Sequence, residues 1–356
     1  MDVKLFSLYK QETPEIEAGK QAILDCAKSF FPDCEKFNTF ASQKRMLLAV
    51  SQSLRAADVV IVAVQGNMYN ATKKLLTAAL DLKTTRKADV AKALRPLLEK
   101  GKIKQNIFET NIRFPQGAEI MPTENYLHCG FTLTAGGQHI IYLPIENPRA
   151  DEVVLGSLYD FLADICEEDC SAALALRHTR LIEKAADKLS GASFKAAFSG
   201  DRITKHIKAF SSDKNTASCF ICDENEKSYS YLTDDEIIKV ARSLRDDNYA
   251  DFGVIVSDVV ENENSERCIA VAIADENGTS TLKIFAENDE TTEHFVAACA
   301  DKVMLTLSNF EKLSASGSEE TATKADKKLR NNLFKITSGV VGASAIISLI
   351  IALIMK

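Results

Sequence analysis

The sequence contains no tryptophan, and its phenylalanine and tyrosine residues bring the aromatic content to only 7%. Apolar residues nevertheless account for 46% of the chain, so we expect the cores to be built mainly from Ala, Leu, Ile and Val. Positive charge is also scarce, because 43 basic residues stand against 50 acidic ones and leave a net charge of −7. Since phosphate contacts need a basic face, this balance argues against nucleic acid as a partner.

The first residues lack an apolar run of the kind that forms a signal peptide, because polar residues interrupt them within the first ten positions. Structural disulfide bonds are not expected either, because the nine cysteines are an odd number and are scattered over 356 residues. A chain of this length has room for two ordinary domains. These features predict a cytoplasmic-type protein with reduced thiols.

One long apolar segment runs from Ile336 to Met355, and none of its 20 residues carries a charge. A helix of that length spans about 30 Å, which is the thickness of the hydrocarbon core of a bilayer. A buried core helix is the alternative, but a core helix of this length normally carries a polar stripe. We therefore expect a single transmembrane helix over 336–355, with membrane lipid as a partner.

Basic residues on the two sides of this segment predict its orientation. Lys356 alone follows it, whereas five basic residues precede it: Lys324, Lys327, Lys328, Arg330 and Lys335. The positive-inside rule then leaves the bulk of the chain in the cytoplasm, with 313–335 as a flexible basic linker. Small residues four positions apart, such as Ser338 and Gly342, allow close helix approach and open the option of a homodimer.

The first part of the chain alternates apolar runs with helical patterns. The run from Asp58 to Val64 is continuously apolar after its first residue, which indicates a strand buried on both faces. Helices are expected over 46–54, 72–80 and 87–100, and extended segments over 107–114, 131–134 and 139–143. This alternation predicts a doubly wound α/β domain over 1–150, with a parallel sheet and helices on both faces.

The second part, 151–312, is expected to hold a helical connector over 152–189 and then a smaller α/β domain. Its strands are predicted over 252–257, 268–274 and 281–286, and its last helix over 291–310. The turn Asp275–Gly278 has the chemistry of a hairpin, because Asn and Gly both tolerate positive φ. The acidic residues after Thr233 suit the first turn of a helix, where negative charge interacts favourably with the dipole.

One motif is specific enough to indicate a family. The run from Arg113 to Pro122 reads RFPQGAEIMP, and Gly130–Phe131 and Leu143–Pro144 follow it. This pattern resembles the molybdopterin-binding-type domain of the competence/damage-inducible CinA family. The stretch from Ala250 to Leu307 is similar, more loosely, to the second domain of that family. The resemblance implies a molybdopterin-binding-like domain over 1–150 and a CinA C-terminal-like α/β domain within 151–312.

The resemblance also implies a ligand loop after the strand that ends at Val64. The residues it assigns to ligand binding are Gln65, Gly66, Asn67, Asn70, Gly117 and Ala118. The family's loop has several glycines and two acidic residues, whereas the loop here keeps one glycine and no carboxylate. Backbone approach to a phosphate and coordination of a divalent cation are therefore both disfavoured. We predict no metal ligand, and the sequence identifies no cofactor.

The amidohydrolase motif of the family's second domain is missing. Its nearest counterpart, Thr216–Cys219, has neither the glutamate before the serine nor the glycines after the cysteine. We therefore predict no catalytic residue.

Three further candidates have structural explanations that outweigh the chemical ones. Cys219 and Cys222 form a single C-x-x-C pair, but a structural zinc site needs more ligands than one such pair supplies. Cys166 and Cys170 are expected to lie one helical turn apart and to pack. His128 and Cys129 are neighbours in the sequence, and neighbours on a strand face opposite ways, so they do not suit an acid–base and nucleophile pair.

The leading hypothesis from the sequence is a membrane-anchored CinA-like protein that acts as a non-catalytic ligand-binding or regulatory module with eroded catalytic motifs. One alternative is a nucleotide-processing hydrolase, of the nicotinamide-nucleotide amidohydrolase or pyrophosphatase type. Another is binding of molybdopterin or a nucleotide without turnover. A small-molecule ligand is a partner in the first and third of these hypotheses and a substrate in the second.

Overall fold

The computed structural model describes residues 1–211, 218–223, 229–230, 233–261, 266–286 and 291–308. The chain divides into two compact units, with the boundary between Leu174 and Ala175. Each unit combines helices with a mixed β-sheet, so the α/β prediction is confirmed. None of the helices in the described ranges is long and apolar enough to cross a membrane, and the predicted span 336–355 lies outside those ranges.

The first unit holds eight strands and seven α-helices, and a π-helical turn at Val154–Leu158 joins the last two of these helices. The strands are β1 (Val3–Leu8), β2 (Phe37–Phe40), β3 (Val59–Val64), β4 (Thr84–Arg86), β5 (Arg113–Pro115), β6 (Glu119–Met121), β7 (Gly130–Ala135) and β8 (Gln138–Pro144). The helices are α1 (Pro14–Phe30), α2 (Gln43–Ser53), α3 (Gly66–Ala79), α4 (Ala88–Glu99), α5 (Gln105–Asn111), α6 (Arg149–Val153) and α7 (Tyr159–Ile165). An eighth helix, α8 (Ser171–Gly191), crosses into the second unit.

The main sheet of the first unit has the order β2-β1-β3-β8-β7-β6. Its first four strands are parallel, but β7 runs antiparallel to β8 and to β6. The prediction of a parallel sheet is therefore wrong at this edge. The reason is the connection between β7 and β8, because two glycines, Gly136 and Gly137, can close a hairpin while a parallel pair needs a crossover of a dozen or more residues.

The segment 107–114, predicted as extended, is mostly the helix α5, and only the three residues of β5 are strand. Its buried residues explain the difference, since Phe108 and Ile112 are four positions apart and lie on one helical face while Ile107 stays 40% exposed. The other helices and strands predicted for residues 1–150 are present, although α3 begins at Gly66, six residues before the predicted start.

Both faces of the first sheet are covered by apolar residues. Alternate strand residues, including Phe6 and Val62, belong to a core that also contains Met46 of α2 and Tyr69 of α3. The intervening residues are buried as well, and all six residues of β3 are inaccessible to solvent. A strand buried on both faces requires helices on both sides of the sheet, as the continuous apolar run predicts.

The second unit is built on another six-stranded sheet, with the order β10-β9-β11-β13-β12 and β14 paired to β13. The strands are β9 (Ala196–Ser199), β10 (Phe220–Cys222), β11 (Phe252–Val256), β12 (Val260–Glu261), β13 (Arg267–Asp275) and β14 (Gly278–Phe285). The helices are α9 (Asp201–Phe210), α10 (Asp234–Asp247) and α11 (Thr292–Ser308). The first three strands are parallel and the last three antiparallel.

Two local predictions in the second unit are confirmed. The carboxylate of Asp275 accepts hydrogen bonds from the N–H groups of Asn277 and Gly278, which close the hairpin between β13 and β14. Thr233 caps α10 through a capping box, in which its hydroxyl accepts from the N–H of Glu236 and the Glu236 carboxylate accepts in return.

Candidate functional site

The carboxyl ends of β1, β3 and β8 meet at one edge of the first sheet, since Leu8 is paired with Val64 and Val64 with Pro144. In open α/β sheets, ligands bind outside this edge, where the strand order changes direction along the chain. Here β1 is followed by β2 on one side and by β3 on the other, which makes this edge the expected position for a ligand. The next residues along the chain are Gln65 and Gly66 after β3 and Glu146 shortly after β8.

The carboxylate of Glu146 lies at the amino terminus of α3. Its Oε2 atom accepts a hydrogen bond from the N–H of Gly66 at 3.0 Å. The first N–H groups of a helix have no partner within the helix, and the helix dipole attracts negative charge to this end. Gln65, the N-cap residue of α3, makes no side-chain cap. Glu146 therefore supplies the negative group that a phosphate would supply in a ligand-binding loop.

Aromatic side chains fill the space beside this carboxylate. The His128 ring lies against Gly66, and its Nδ1 atom is 3.3 Å from the point where a Cβ at position 66 would be. The Tyr69 ring lies 5.0 Å from that of His128, and its hydroxyl donates to the carbonyl of Cys129 at 2.6 Å. Tyr142 donates in turn to the carbonyl of Tyr69 at 2.7 Å. Both tyrosines are buried, so the start of α3 packs among aromatic side chains.

Gly66 permits this close packing because it has no side chain. A Cβ at this position would lie 2.7 Å from Oε2 of Glu146 and 3.3 Å from the His128 ring. Both contacts are with side-chain ends rather than with backbone, so a larger residue at position 66 would displace the carboxylate and the imidazole.

Burial shifts the pKa values of three nearby groups towards their uncharged forms. Burial, together with the positive charges of Arg149 and Lys73, lowers the pKa of His128 to about 4. Burial also lowers the pKa of Lys73 to about 7 and raises that of the Cys129 thiol to about 11. A thiol with so high a pKa is a poor nucleophile. A structural role for His128 and Cys129 is therefore favoured over a catalytic pair, although His128 lies at the candidate site.

Four buried polar atoms in this region have no hydrogen-bond partner among the described residues. They are Asn70 Oδ1, His128 Nδ1, Asn147 Oδ1 and Arg149 Nε. Asn70 lies one helical turn after Gly66, and Asn147 and Arg149 follow Glu146 closely along the chain. An unsatisfied buried polar atom costs about 1–3 kcal/mol, so such atoms normally bind ordered water or a ligand.

The six residues that the sequence assigns to ligand binding lie in two places. Gln65, Gly66, Asn67 and Asn70 begin α3, where the side chain of Gln65 accepts from the N–H of Lys10 and Asn67 is exposed.

Gly117 and Ala118 instead form the turn before β6. Gly117 has a φ of 84°, and the carbonyl of Ala118 accepts from the ammonium group of Lys87. Since β6 is three strands away from β3, about 14 Å of sheet separates the two groups.

Sequence reasoning missed Glu146, the residue that contacts Gly66 directly. A signal was present, because Glu146 is the first acidic residue after the apolar strand β8, whose carboxyl end shares the ligand edge with β3. A surface cleft of about 430 Å³ was not predicted either. It lies at the opposite, amino end of β1 and is lined by residues such as Asp2, Lys4 and Lys36.

The parallel strands of the second unit also carry polar groups at their carboxyl ends. The buried hydroxyl of Ser199, the last residue of β9, donates to Oδ2 of Asp223 at 3.1 Å and lies 2.8 Å from the Tyr229 hydroxyl. A serine beside a carboxylate has two parts of a nucleophilic site. The motif considered from the sequence is elsewhere, since Ser218 and Cys219 precede β10 and residues 216–217 lie outside the described part.

The cysteines in the described ranges are free thiols. Cys219 and Cys222 flank and end the short strand β10. Cys166 and Cys170 do not lie on one helix, because α7 ends at Ile165 and α8 begins at Ser171, so the predicted helical spacing is wrong. Their side chains nevertheless interact with each other. The break follows from Asp169, whose carboxylate accepts from the N–H of Ser171 at the start of α8.

Three helices of the second unit bring two histidines to one carboxylate. Nδ1 of His178 in α8 lies 2.6 Å from Oδ1 of Asp301 in α11, and Nε2 of His206 in α9 lies 3.9 Å from the same oxygen. Burial, and then His178, lower the pKa of His206 to about 4, although Asp301 acts in the opposite direction. No sequence motif indicates this cluster, because its members are far apart along the chain.

No family model and no curated protein matches this chain. Among solved structures, it is similar to the protein CinA with unknown function from Thermoplasma acidophilum, with 14% identity over 45% of this chain and 97% of the other and a TM-score of 0.35. A competence or damage-inducible protein from Enterobacter asburiae has 16% identity, covers 37% and 96%, and has a TM-score of 0.30. A CinA superfamily protein from Klebsiella pneumoniae has 13% identity, covers 37% and 95%, and has a TM-score of 0.31. Each of these similarities has a low sequence identity and covers less than half of this chain.

Proposed function

We propose that this chain is a membrane-anchored CinA-like protein whose first unit, a doubly wound domain, binds a small polar ligand without turning it over. The observation that carries the proposal is the hydrogen bond between Glu146 and Gly66. The chain's own carboxylate takes the position at the start of α3 that would otherwise receive a phosphate.

Electrostatics make Glu146 a barrier to anionic substrates. Two unit negative charges 4 Å apart repel by about 4 kcal/mol at the effective dielectric constant of a protein surface. A phosphate at Gly66 would have to bear this repulsion or displace the Glu146 carboxylate, which lies there beside the His128 ring. The loop after β3 also offers no carboxylate for a divalent cation, which hydrolysis of a nucleotide pyrophosphate would need.

The four unpaired polar atoms favour a ligand-binding role over a purely structural one. They include acceptors on Asn70 and Asn147 and a donor on Arg149, so they can hydrogen-bond a neutral molecule that has both kinds of group. A neutral polar ligand, such as a pterin-like ring, would satisfy them without displacing Glu146. Ordered water is the other occupant that fits, and it would leave the unit without a ligand.

The membrane part of the proposal rests on the uncharged segment 336–355 and on the basic residues before it. Such an anchor would hold both described units on the cytoplasmic side, where a binding module reports on or buffers a small molecule near the membrane.

If Glu146 blocks phosphate at the start of α3, its removal should allow phosphate to bind there. We expect the wild-type protein to show no change in melting temperature with inorganic phosphate or nucleoside phosphates, and Glu146→Ala to be stabilised by them. The freed N–H groups at the start of α3 would then donate hydrogen bonds to the anion. Glu119→Ala, which removes an exposed carboxylate from β6 in the same unit, is the matched control. Phosphate binding by the wild-type protein that is as strong as in Glu146→Ala would contradict the proposal.

A hydrolase in the second unit is the alternative function, and the contact between Ser199 and Asp223 favours it. In that case purified protein would hydrolyse nicotinamide mononucleotide, and Ser199→Ala would abolish the reaction while Ser218→Ala would not. We expect no turnover by the wild-type protein, because Ser199 is wholly inaccessible to solvent.

A further inference from the structure

The cluster of His178, His206 and Asp301 has the composition of a metal site. Its three donor atoms lie within 4.8 Å of one another. The side chains are 11%, 6% and 4% exposed respectively, so the donors are largely removed from water. Two imidazoles and one carboxylate form a ligand set that zinc-class divalent ions use in proteins.

The geometry points to a divalent metal site of the zinc class at His178, His206 and Asp301. Ligand atoms about 2.1 Å from a tetrahedral zinc are about 3.4 Å apart. The two distances to Oδ1 of Asp301, 2.6 and 3.9 Å, lie on either side of that value. Side-chain shifts of about an ångström would therefore bring the three donors to coordination distance.

His206 supplies an independent reason to expect a ligand. Its Nε2 atom is buried and has no hydrogen-bond partner among the described residues. A bare imidazole nitrogen in the interior costs free energy that coordination would recover. The Nε2 atom is turned towards Asp301, and the Phe210 ring, 4.8 Å from that of His206, closes the cluster on another side.

Arg177 supports the carboxylate in the manner of an outer-sphere partner. Its Nη1 atom lies 3.4 Å from Oδ2 of Asp301, the oxygen that the two histidines do not approach. Metal-bound carboxylates are commonly held by such partners. The positive charge of Arg177 offsets the negative charge of Asp301, which favours a further negative ligand on the metal. Three protein donors leave the fourth tetrahedral position for hydroxide or an external anion.

The decisive experiment is metal titration of the full chain in detergent after removal of metals with a chelator. Calorimetry with Zn²⁺ should give one ion per chain and a raised melting temperature. Co²⁺ should give the visible absorption of a nitrogen- and oxygen-coordinated ion without the near-ultraviolet sulfur-to-metal band. A spectrum dominated by that sulfur band would assign the ion to a thiol pair such as Cys219 and Cys222 and overturn the inference.

Variants locate the ion. His206→Gln should lower zinc affinity by more than the 10–100-fold that is typical for loss of an outer-sphere partner, and Arg177→Gln by about that factor. His294→Gln, which removes a histidine from the same helix as Asp301, should leave affinity unchanged. Circular dichroism establishes that each variant is folded. Absence of stoichiometric binding by the wild-type protein, or unchanged affinity in folded His206→Gln, would show that the cluster is only a hydrogen-bond network.

Discussion

The Oε2 atom of Glu146 lies 3.0 Å from the backbone nitrogen of Gly66, although 80 residues separate the two along the chain. This hydrogen bond ties the segment after β8 to the first residue of α3. It has two physical effects. It satisfies one of the unpaired N–H groups of the helix, and it places a negative charge where the helix dipole favours one.

Loss of this contact should therefore destabilise the first unit. We expect Glu146→Ala to lower the free energy of unfolding by about 1 kcal/mol, as removal of a helix cap does. Glu146→Gln should lose less, because the amide oxygen can still accept the hydrogen bond from Gly66 while the charge term disappears. Urea unfolding followed by circular dichroism measures both values. Equal stability of the wild-type protein and Glu146→Ala would mean that the contact contributes nothing to folding.

The buried imidazole of His128 predicts loss of stability in acid. Burial lowers its pKa from an ordinary 6.5 to about 4, so the unfolded chain binds more protons between these values. Stability should accordingly fall as the pH decreases from about 6.5 to 4, by about 3 kcal/mol. His128→Gln should reduce the fall, because the variant has no imidazole to protonate at this position.

Melting temperatures measured at half-unit pH intervals test this dependence. His294→Gln is the control, since it removes an exposed histidine. An identical pH profile in the wild-type protein and His128→Gln would show that the imidazole titrates normally in the folded state.

The buried side chain of Lys73 should affect the stability of the protein above pH 7. The side chain is 3% exposed, its ammonium group donates to the carbonyl of Thr110 at 3.0 Å, and it lies 4.1 Å from the centre of the Phe114 ring. Burial lowers its pKa from 10.5 to about 7, so the unfolded state binds more protons above pH 7. Stability should rise with pH from 7 to about 9, at up to about 1.4 kcal/mol per pH unit.

Lys73→Met should remove this rise, whereas the exposed Lys74→Met should keep it. The comparison stops near pH 9, because the raised pKa values of Cys129 and the buried tyrosines reduce stability in stronger alkali. Chemical unfolding at a series of pH values gives the slope directly. A slope that is the same in Lys73→Met would assign the rise to other groups.

The segment 336–355 predicts how the chain partitions between membrane and solution. Truncation after Lys335 should move the protein from the membrane pellet to the supernatant without lowering the melting temperature of either unit. The separation needs a high-salt wash, because the basic residues before the segment can bind anionic lipid weakly. Truncated protein that stays in the washed pellet would mean that another part of the chain holds the membrane.

Local features of this protein were predictable from the order of its residues. The apolar run of β3, the helices α2 and α4, the hairpin at Asp275 and the cap at Thr233 all depend on residues a few positions apart. Their energetics are largely local, so a pattern in the sequence is enough to indicate them. The helix α5 escaped prediction because its two apolar anchors, Phe108 and Ile112, fit a strand as well as a helix in so short a segment.

The sequence by itself determined the α/β class, the uncharged segment 336–355 and the likeness to CinA in the run from Arg113 to Pro122. It also determined that the loop after β3 carries no carboxylate. Only the tertiary structure decided that Glu146 supplies one to Gly66 from the end of another strand, and that His178 and His206 meet at Asp301. Such contacts depend on which strand ends and helix faces the fold brings together. The fold is set by residues throughout the chain, so no short segment of the sequence predicts these contacts.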